Sequence, residues 1–151
     1  MKQVVGNLVD IHSRSIYPAK IKIENGIIVA IDRVEGKKFD TYIIPGFVDS
    51  HVHIESSMLT PQEFSKLVVP RGTVAIVTDP HEIANVTGVN GILAMVKNSA
   101  TALCKMFFTI PSCVPATSLD GSGAVVGSSD VEILAKSGNF FALSEVMDLF
   151  A

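Results

Sequence analysis

From residue 43 onward, short apolar runs alternate with segments that carry helix signals. Four runs predict strands, at residues 43–48, 73–78, 103–110 and 140–144. Three intervening segments predict helices, at residues 60–69, 87–98 and 129–137. Strands that alternate with helices run parallel and are joined by right-handed crossovers. The sequence therefore predicts an α/β fold, as an open doubly wound sheet or as the first half of a (β/α)8 barrel.

Two of the predicted helices begin with a capping-box pattern. Thr60 precedes Glu63 by three residues, with a proline between them at the first helical position. Ser129 precedes Glu132 by the same spacing. In each pair we expect the hydroxyl to cap the helix and the carboxylate to bond back to the capping residue.

Residues 1–42 predict β-structure without helical periodicity. Lysine and glutamate alternate with isoleucine in residues 20–24, and Asn25 and Gly26 then precede a second apolar run. An Asn-Gly pair between two such runs is a strong hairpin signal. We expect an earlier strand at residues 4–11 to pair with this hairpin. The predicted domains are an N-terminal β-module at residues 1–42 and an α/β domain at residues 43–151.

Composition and charge narrow the class of protein. Hydrophobic residues make up 48% of the 151-residue chain and the net charge is −3, which argues against disorder. No apolar run reaches the ~18–20 residues of a membrane span, and the N-terminus lacks the apolar region of a signal peptide. The expected protein is cytoplasmic and binds neither membrane nor nucleic acid. The two cysteines are too few for a disulfide framework.

The strongest chemical signal is a His-x-His pair after the first predicted parallel strand. His51 and His53 are two residues apart, so in an extended chain both side chains point to one face. Two neutral imidazoles suit zinc, iron or nickel, and also manganese when carboxylates join them. Solvated loop histidines are the alternative. We favour a metal site because an apolar strand and Asp49 directly precede the pair.

Other ionisable residues follow the other predicted strands, where ligands bind in parallel architectures. Glu145 ends the fourth apolar run and is a third candidate metal ligand, with a lysine or arginine partner or simple exposure as alternatives. His81 and Glu82 follow the second strand, where they could bind metal, move a proton or hold a substrate. Asp79 or Asn85 could instead cap a following helix.

A nucleophilic role is not expected for Cys113, which follows the third strand. No histidine lies near it in the sequence, and a buried cysteine is usually inert packing. The glycines in residues 121–127 do not match a phosphate-binding loop. The ionisable residues at the strand ends therefore remain the candidate site.

Residues 45–53, which follow the β-module, resemble the entry into the amidohydrolase superfamily of metal-dependent hydrolases. Four segments together narrow the resemblance to the adenine deaminase family within it, at residues 51–58, 78–86, 111–116 and 144–147. The resemblance implies the N-terminal part of a small β-sandwich, followed by the first four units of a (β/α)8 barrel.

The same resemblance implies a function. The expected reaction turns adenine and water into hypoxanthine and ammonia in purine salvage, by attack of a metal-activated hydroxide. His51, His53 and Glu145 are then metal ligands, and His81 and Glu82 are catalytic residues. We expect manganese or iron rather than zinc, a binuclear site in the intact enzyme, adenine as the small-molecule substrate and a homo-oligomer.

One departure from the superfamily pattern concerns length. The superfamily also uses histidines after the fifth and sixth strands and an aspartate after the eighth, and a full barrel takes about 250 residues. We therefore expect a truncated chain, inactive alone, whose apolar excess would face absent elements. Two other functions stay open: another amidohydrolase acting on cyclic amides, or a non-catalytic association module with exposed sheet edges.

Overall fold

The structure, a computed structural model, describes residues 1–148, so the predicted second domain includes three residues outside the described part. The chain divides into two compact units between Pro45 and Gly46. Each unit contains one four-stranded sheet.

The first unit is a β-module. Its strands are β1 (Lys2–Asp10), β2 (Ser15–Glu24), β3 (Ile27–Arg33) and β4 (Tyr42–Ile43). They lie in the order β3-β2-β1-β4, with β2 antiparallel to both neighbours and β4 parallel to β1. Asn25 and Gly26 join β2 to β3 with φ of 49° and 79°, as a tight hairpin requires. The predicted hairpin and the earlier strand are confirmed.

The second unit is an α/β layer built on a parallel sheet. Its strands are β5 (Phe47–Val52), β6 (Thr73–Thr78), β7 (Lys105–Ile110) and β8 (Phe140–Leu143), in the order β5-β6-β7-β8. Its helices are α1 (Pro61–Val68), α2 (His81–Thr87), α3 (Val89–Ser99) and α4 (Ser128–Lys136). Two short 3-10 helices occupy Ile54–Ser57 and Val69–Arg71. The α/β class and the parallel strands are confirmed.

The predicted strand at residues 43–48 is wrong, because the apolar run divides between the two sheets. Ile43 ends β4 and pairs with Leu8, whereas Phe47 begins β5 and pairs with Thr73. Pro45 lacks an N–H for a sheet hydrogen bond. The chain changes sheets at Pro45 and Gly46, a division that hydrophobicity alone does not reveal.

The helix predicted at residues 87–98 is observed as α3, which begins two residues later than predicted. A separate helix that was not predicted, α2, precedes it. Gly88 separates α2 from α3 with φ of 63°, a value that glycine adopts readily. Ile92 and Met95 bury one face of α3, as its periodicity predicts. The seven residues of α2 are too few for a clear periodic signal.

The two predicted capping boxes differ from the observed helix starts. Thr60 occupies the capping position of α1 but makes no side-chain capping bond. The start of α4 lies earlier, with Gly127 at the cap, and the Asp130 carboxylate accepts a hydrogen bond from the Gly127 N–H at 3.0 Å. Ser129 is therefore inside the helix and does not cap it.

The core of the second unit lies between the sheet and its helices. Ile92 on α3, Leu134 on α4 and Ile110 on β7 belong to one buried cluster. A second cluster joins Ile54 to Phe108. This packing fixes the strand ends and the short turns that follow them. Within residues 1–148, no helix is long and apolar enough to cross a membrane.

Candidate metal centre

Three candidate ligands converge at the carboxyl ends of the outer strands of the parallel sheet. His51 lies near the end of β5, His53 follows that strand, and Glu145 follows β8. The Nε2 atoms of His51 and His53 are 3.2 Å apart. The Glu145 carboxylate reaches both histidines, with Oε2 at 3.8 Å from His51 Nε2 and Oε1 at 3.6 Å from His53 Nε2.

These separations fit a shared divalent ion. Two ligand atoms bound at about 2.0–2.2 Å in tetrahedral or octahedral arrangement lie roughly 2.8–3.6 Å apart. The two imidazoles and one carboxylate fall within or just beyond that range, with all three ligand atoms inside 4.8 Å of one another. Two nitrogen ligands and one oxygen ligand are a donor set that transition metals accept.

Hydrogen bonding sets the tautomer of His53. Its Nδ1 lies 2.9 Å from the Asp79 carbonyl oxygen, which can only accept a hydrogen bond. Nδ1 therefore carries the proton, and Nε2 directs a lone pair toward His51 and Glu145. A backbone carbonyl on the second ring nitrogen is the support that metal-bound histidines commonly have.

Two hydrogen bonds join the end of β7 and the chain after it to the chain after β8, beside Glu145. The Ser112 hydroxyl donates to the Glu145 carbonyl oxygen at 2.6 Å, and the Ser144 N–H donates to the Ile110 carbonyl at 2.9 Å. Glu145 is about half exposed, with 46% of its side chain accessible. Its carboxylate is accordingly free to approach a ligand between the histidines.

His81 and Glu82 lie in the first turn of α2, next to this group. Glu82 Oε2 is 3.4 Å from His53 Nδ1, and Glu82 Oε1 accepts a hydrogen bond from the Ser56 hydroxyl. The His81 ring centroid is 6.2 Å from that of His53. The Nε2 atom of His81 faces Asn85 Nδ2 at 3.0 Å and does not belong to the three-residue ligand group.

Asp79 is a buried carboxylate beside the candidate ligands. Only 2% of the residue is accessible. Burial raises the pKa of Asp79, while the Ser144 hydroxyl and the charge of His53 oppose that shift. The capping interpretation of Asp79 is wrong, because Pro80 holds the capping position of α2. Asn85 does not cap the helix predicted at residues 87–98 either, since it lies inside α2 and Gly88 holds the capping position of α3.

Sequence reasoning missed the link between the His-x-His segment and α2. Glu55 Oε1 accepts a hydrogen bond from the Ile83 N–H at 3.2 Å, which satisfies a donor in the first turn of α2. Burial raises the pKa of the Glu55 carboxyl. The partners are 28 residues apart, so no local spacing could have revealed them.

Cys113 is buried, as expected for a packing role rather than a nucleophilic one. Cys113 is 4% accessible in the turn after β7. The Ser112 hydroxyl lowers the pKa of the Cys113 thiol. The described residues place no histidine within hydrogen-bonding distance of the thiol.

Comparison with known proteins points to one family. Residues 42–146 match the sequence pattern of the amidohydrolase family, a span that contains all the candidate ligands. Several relatives bear the name adenine deaminase. The chain is 50% identical to one from Borreliella afzelii over 148 residues and 50% identical to one from Sulfurovum sp. over 146 residues.

A third relative of the same name, from Methanosphaera stadtmanae, is 46% identical over 145 residues. The alignments with these three proteins cover 96–97% of this chain but 27% of each relative. The chain therefore spans about a quarter of the length of the curated relatives that it matches.

Proposed function

Because the chain belongs to the amidohydrolase family, we propose that it forms part of an adenine deaminase. The reaction is hydrolysis of a C–N bond, in which adenine and water give hypoxanthine and ammonia. The observation that carries the proposal is the convergence of His51, His53 and Glu145 at one edge of the parallel sheet. The 50% identity with proteins named adenine deaminase supports the substrate.

In this proposal His51, His53 and Glu145 hold a divalent metal ion. His53 is already set for this role, because its Nδ1–H is engaged by the Asp79 carbonyl and its Nε2 is left unprotonated. Glu145 adds negative charge that two neutral imidazoles lack. A bound divalent ion supplies a nucleophile at neutral pH by lowering the pKa of water from 15.7 to about 7.

We assign catalytic roles to His81 and Glu82 on the basis of their position. Deamination needs groups that hold the heterocycle and exchange protons with the departing amine. Glu82 lies beside the candidate ligands, with Oε2 3.4 Å from His53 Nδ1, and 41% of its side chain is accessible to a substrate. Ser56 engages the other oxygen and fixes the carboxylate against rotation.

The architecture proposed for the intact protein is a (β/α)8 barrel with a small β-sandwich. The sheet of β5 to β8 corresponds to the first four barrel strands, and the predicted β-module, at residues 1–42, to part of the sandwich. The active site then lies at the carboxyl ends of the barrel strands, where His51, His53 and Glu145 are found. We further propose manganese or iron in a binuclear site, a homo-oligomer and a role in purine salvage in the cytoplasm.

The experiment uses the full-length protein that contains this sequence, expressed with added manganese. We expect ammonia release from adenine, with activity lost in the His51→Asn, His53→Asn double variant and retained in His12→Asn, a histidine of the first unit. Hydrolysis of cyclic amides without action on adenine would favour another amidohydrolase activity. Absence of bound metal and of any hydrolysis would favour a non-catalytic association role.

A further inference from the structure

His81 is held by a network that the proposed function does not require. The Asn85 amide nitrogen Nδ2 lies 3.0 Å from His81 Nε2 and 3.1 Å from the His81 carbonyl oxygen. The Ser122 hydroxyl lies 3.2 Å from Asn85 Oδ1 and 3.0 Å from the Asn85 carbonyl oxygen. Ser122 belongs to the long segment between β7 and α4, so the network joins two parts of the second unit.

The orientation of the Asn85 amide is fixed by the His81 carbonyl. A carbonyl oxygen can only accept, so the His81 carbonyl requires the NH₂ group of Asn85 on its side. The Ser122 hydroxyl has one proton to donate, and its nearest acceptor is the Ala124 carbonyl at 2.5 Å rather than Asn85 Oδ1 at 3.2 Å. Exchanging the oxygen and nitrogen of the amide would place an acceptor against the His81 carbonyl. The hydrogen-bond network therefore assigns the NH₂ group to the His81 side.

The amide in turn determines where neutral His81 carries its proton. An NH₂ group is a donor only, so Nε2 must present its lone pair, and the proton resides on Nδ1. Nδ1 is buried and has no hydrogen-bond partner within residues 1–148. A buried unpaired N–H is destabilising, and an acceptor in the loaded site would relieve that cost.

We infer that Asn85 is a positioning residue that fixes neutral His81 as the Nδ1–H tautomer. His81 consequently acts as a hydrogen-bond donor. Its single lone pair is engaged by Asn85 and is not available to bind a metal or to accept a proton. The donor role in the reaction rests on the proposed function, whereas the tautomer itself does not.

The direct test is ¹⁵N NMR of the full chain labelled at histidine, recorded near pH 8.5, about two units above the ordinary histidine pKa of ~6.5. The four histidines give separate signals, and His81→Asn identifies the His81 resonances. We expect His81 with a protonated Nδ1 and an unprotonated Nε2. A protonated Nε2 in the wild type would overturn the inference without reference to any activity.

Two variants test the cause of the tautomer. Asn85→Asp replaces the donor by an acceptor of the same shape, so we expect the His81 proton to move to Nε2. Asn90→Asp places the same charge on an exposed position of α3 and should leave His81 unchanged. An unchanged His81 tautomer in Asn85→Asp would overturn the role of Asn85.

Ser122→Ala is the second variant, and it alters no charge. The Ser122 hydroxyl lies nearest to the Ala124 carbonyl, so the His81 carbonyl should hold the Asn85 amide without it. We therefore expect the wild-type His81 tautomer in Ser122→Ala. A His81 proton on Nε2 in this variant would contradict the role of the His81 carbonyl in orienting Asn85.

The metal content of variants distinguishes a hydrogen-bond donor role for His81 from a role as metal ligand. We expect the His81→Asn protein to retain the manganese content of the wild type and His53→Asn to lose it. Equal loss of metal in both variants would overturn the donor role of His81. Absence of deaminase activity in the full-length protein, together with the expected tautomer, would contradict the proposed function and leave the inference about Asn85 intact.

Discussion

One backbone carbonyl and one side-chain amide determine which ring nitrogen carries the proton in two histidines of this site. The Asp79 carbonyl leaves the lone pair of His53 on Nε2, toward His51 and Glu145. The Asn85 amide occupies the lone pair of His81, also on Nε2. Two histidines 28 positions apart thus receive opposite chemical roles. The difference comes from their partners and not from the residue type.

The first prediction at this scale concerns Asp79 in metal-free protein. Its pKa is raised by burial, so as the pH increases above 3.8 the unfolded chain releases this proton before the folded chain does. Ionisation of Asp79 therefore lowers the free energy of unfolding as the pH rises. We expect the stability of Asp79→Asn relative to wild type to increase between pH 4 and pH 7, measured by urea unfolding.

Asp40→Asn, at an exposed position, reports the effect of losing a carboxylate charge alone. A stability difference between wild type and Asp79→Asn that stays constant from pH 4 to pH 7 would contradict the burial argument.

The second prediction concerns Glu145. Glu145→Gln keeps the size of the side chain but removes the charge that we assign to metal binding. We expect manganese affinity to fall by at least about 10-fold, because loss even of indirect support for a metal typically costs 10–100-fold. Isothermal titration with Mn²⁺ measures it, with the exposed Glu132→Gln as control. Equal affinity in Glu145→Gln and wild type would remove Glu145 from the site.

At the scale of elements, the close approach of β6 to the segment before β5 depends on a glycine. A Cβ at Gly46 would overlap Val74 Cγ1 and lie 2.7 Å from Val74 Cγ2. The second unit begins at Gly46. At the next residue, the Phe47 N–H donates a hydrogen bond to the Gly72 carbonyl oxygen. The chain entry into the parallel sheet therefore requires a residue without a side chain.

The third prediction tests this contact with a double-mutant cycle. We expect Gly46→Ala to reduce the free energy of unfolding by about 1–3 kcal/mol through overpacking. Val74 is half exposed, so Val74→Ala alone should cost less and should make room for the new methyl group. Urea unfolding of the four proteins measures the coupling. Strictly additive effects of the two substitutions would show that the contact does not limit the packing.

The fourth prediction concerns the attachment of α2. Glu55→Ala removes the acceptor of the Ile83 N–H, and the loss should resemble that of a helix cap, about 0.5–2 kcal/mol. We expect faster hydrogen exchange at the Ile83 amide in particular, because that bond is the one removed. Glu35→Ala, at an exposed turn, is the control. Unchanged exchange at Ile83 would show that Glu55 does not hold α2.

The sequence predicted the elements with strong periodic signals and missed those set by distant contacts. The hairpin at Asn25 and Gly26 and the parallel strands follow from local pattern and were correct. The helix α2 was missed because its start is stabilised by Glu55, from another segment. The split of residues 43–48 between two sheets was missed because both parts are equally apolar.

For the whole molecule, the strand order brings distant parts of the sequence to one edge. His53 and Glu145 are 92 positions apart, yet their side chains approach to 3.6 Å because β5 and β8 run parallel in the same sheet. The sequence predicted this convergence, since ligands collect at the carboxyl ends of parallel strands. It did not predict Ser122 beside Asn85, because the segment around Ser122 carries no periodic signal.

The proposed function also belongs to this scale. The family match covers residues 42–146, and the relatives named adenine deaminase align from the β-module to the turn after β8. The candidate ligands lie inside the matched span. A metal held by His51, His53 and Glu145 is therefore the claim on which the rest of the account depends.

The most direct measurement is anomalous diffraction at the manganese edge from crystals of the full-length protein grown with Mn²⁺. We predict a peak within roughly 2.0–2.2 Å of the Nε2 atoms of His51 and His53 and close to the Glu145 carboxylate. His81 Nε2 should remain within hydrogen-bonding distance of Asn85 Nδ2. No peak at these three residues, or a peak that involves His81 in place of Glu145, would contradict the account.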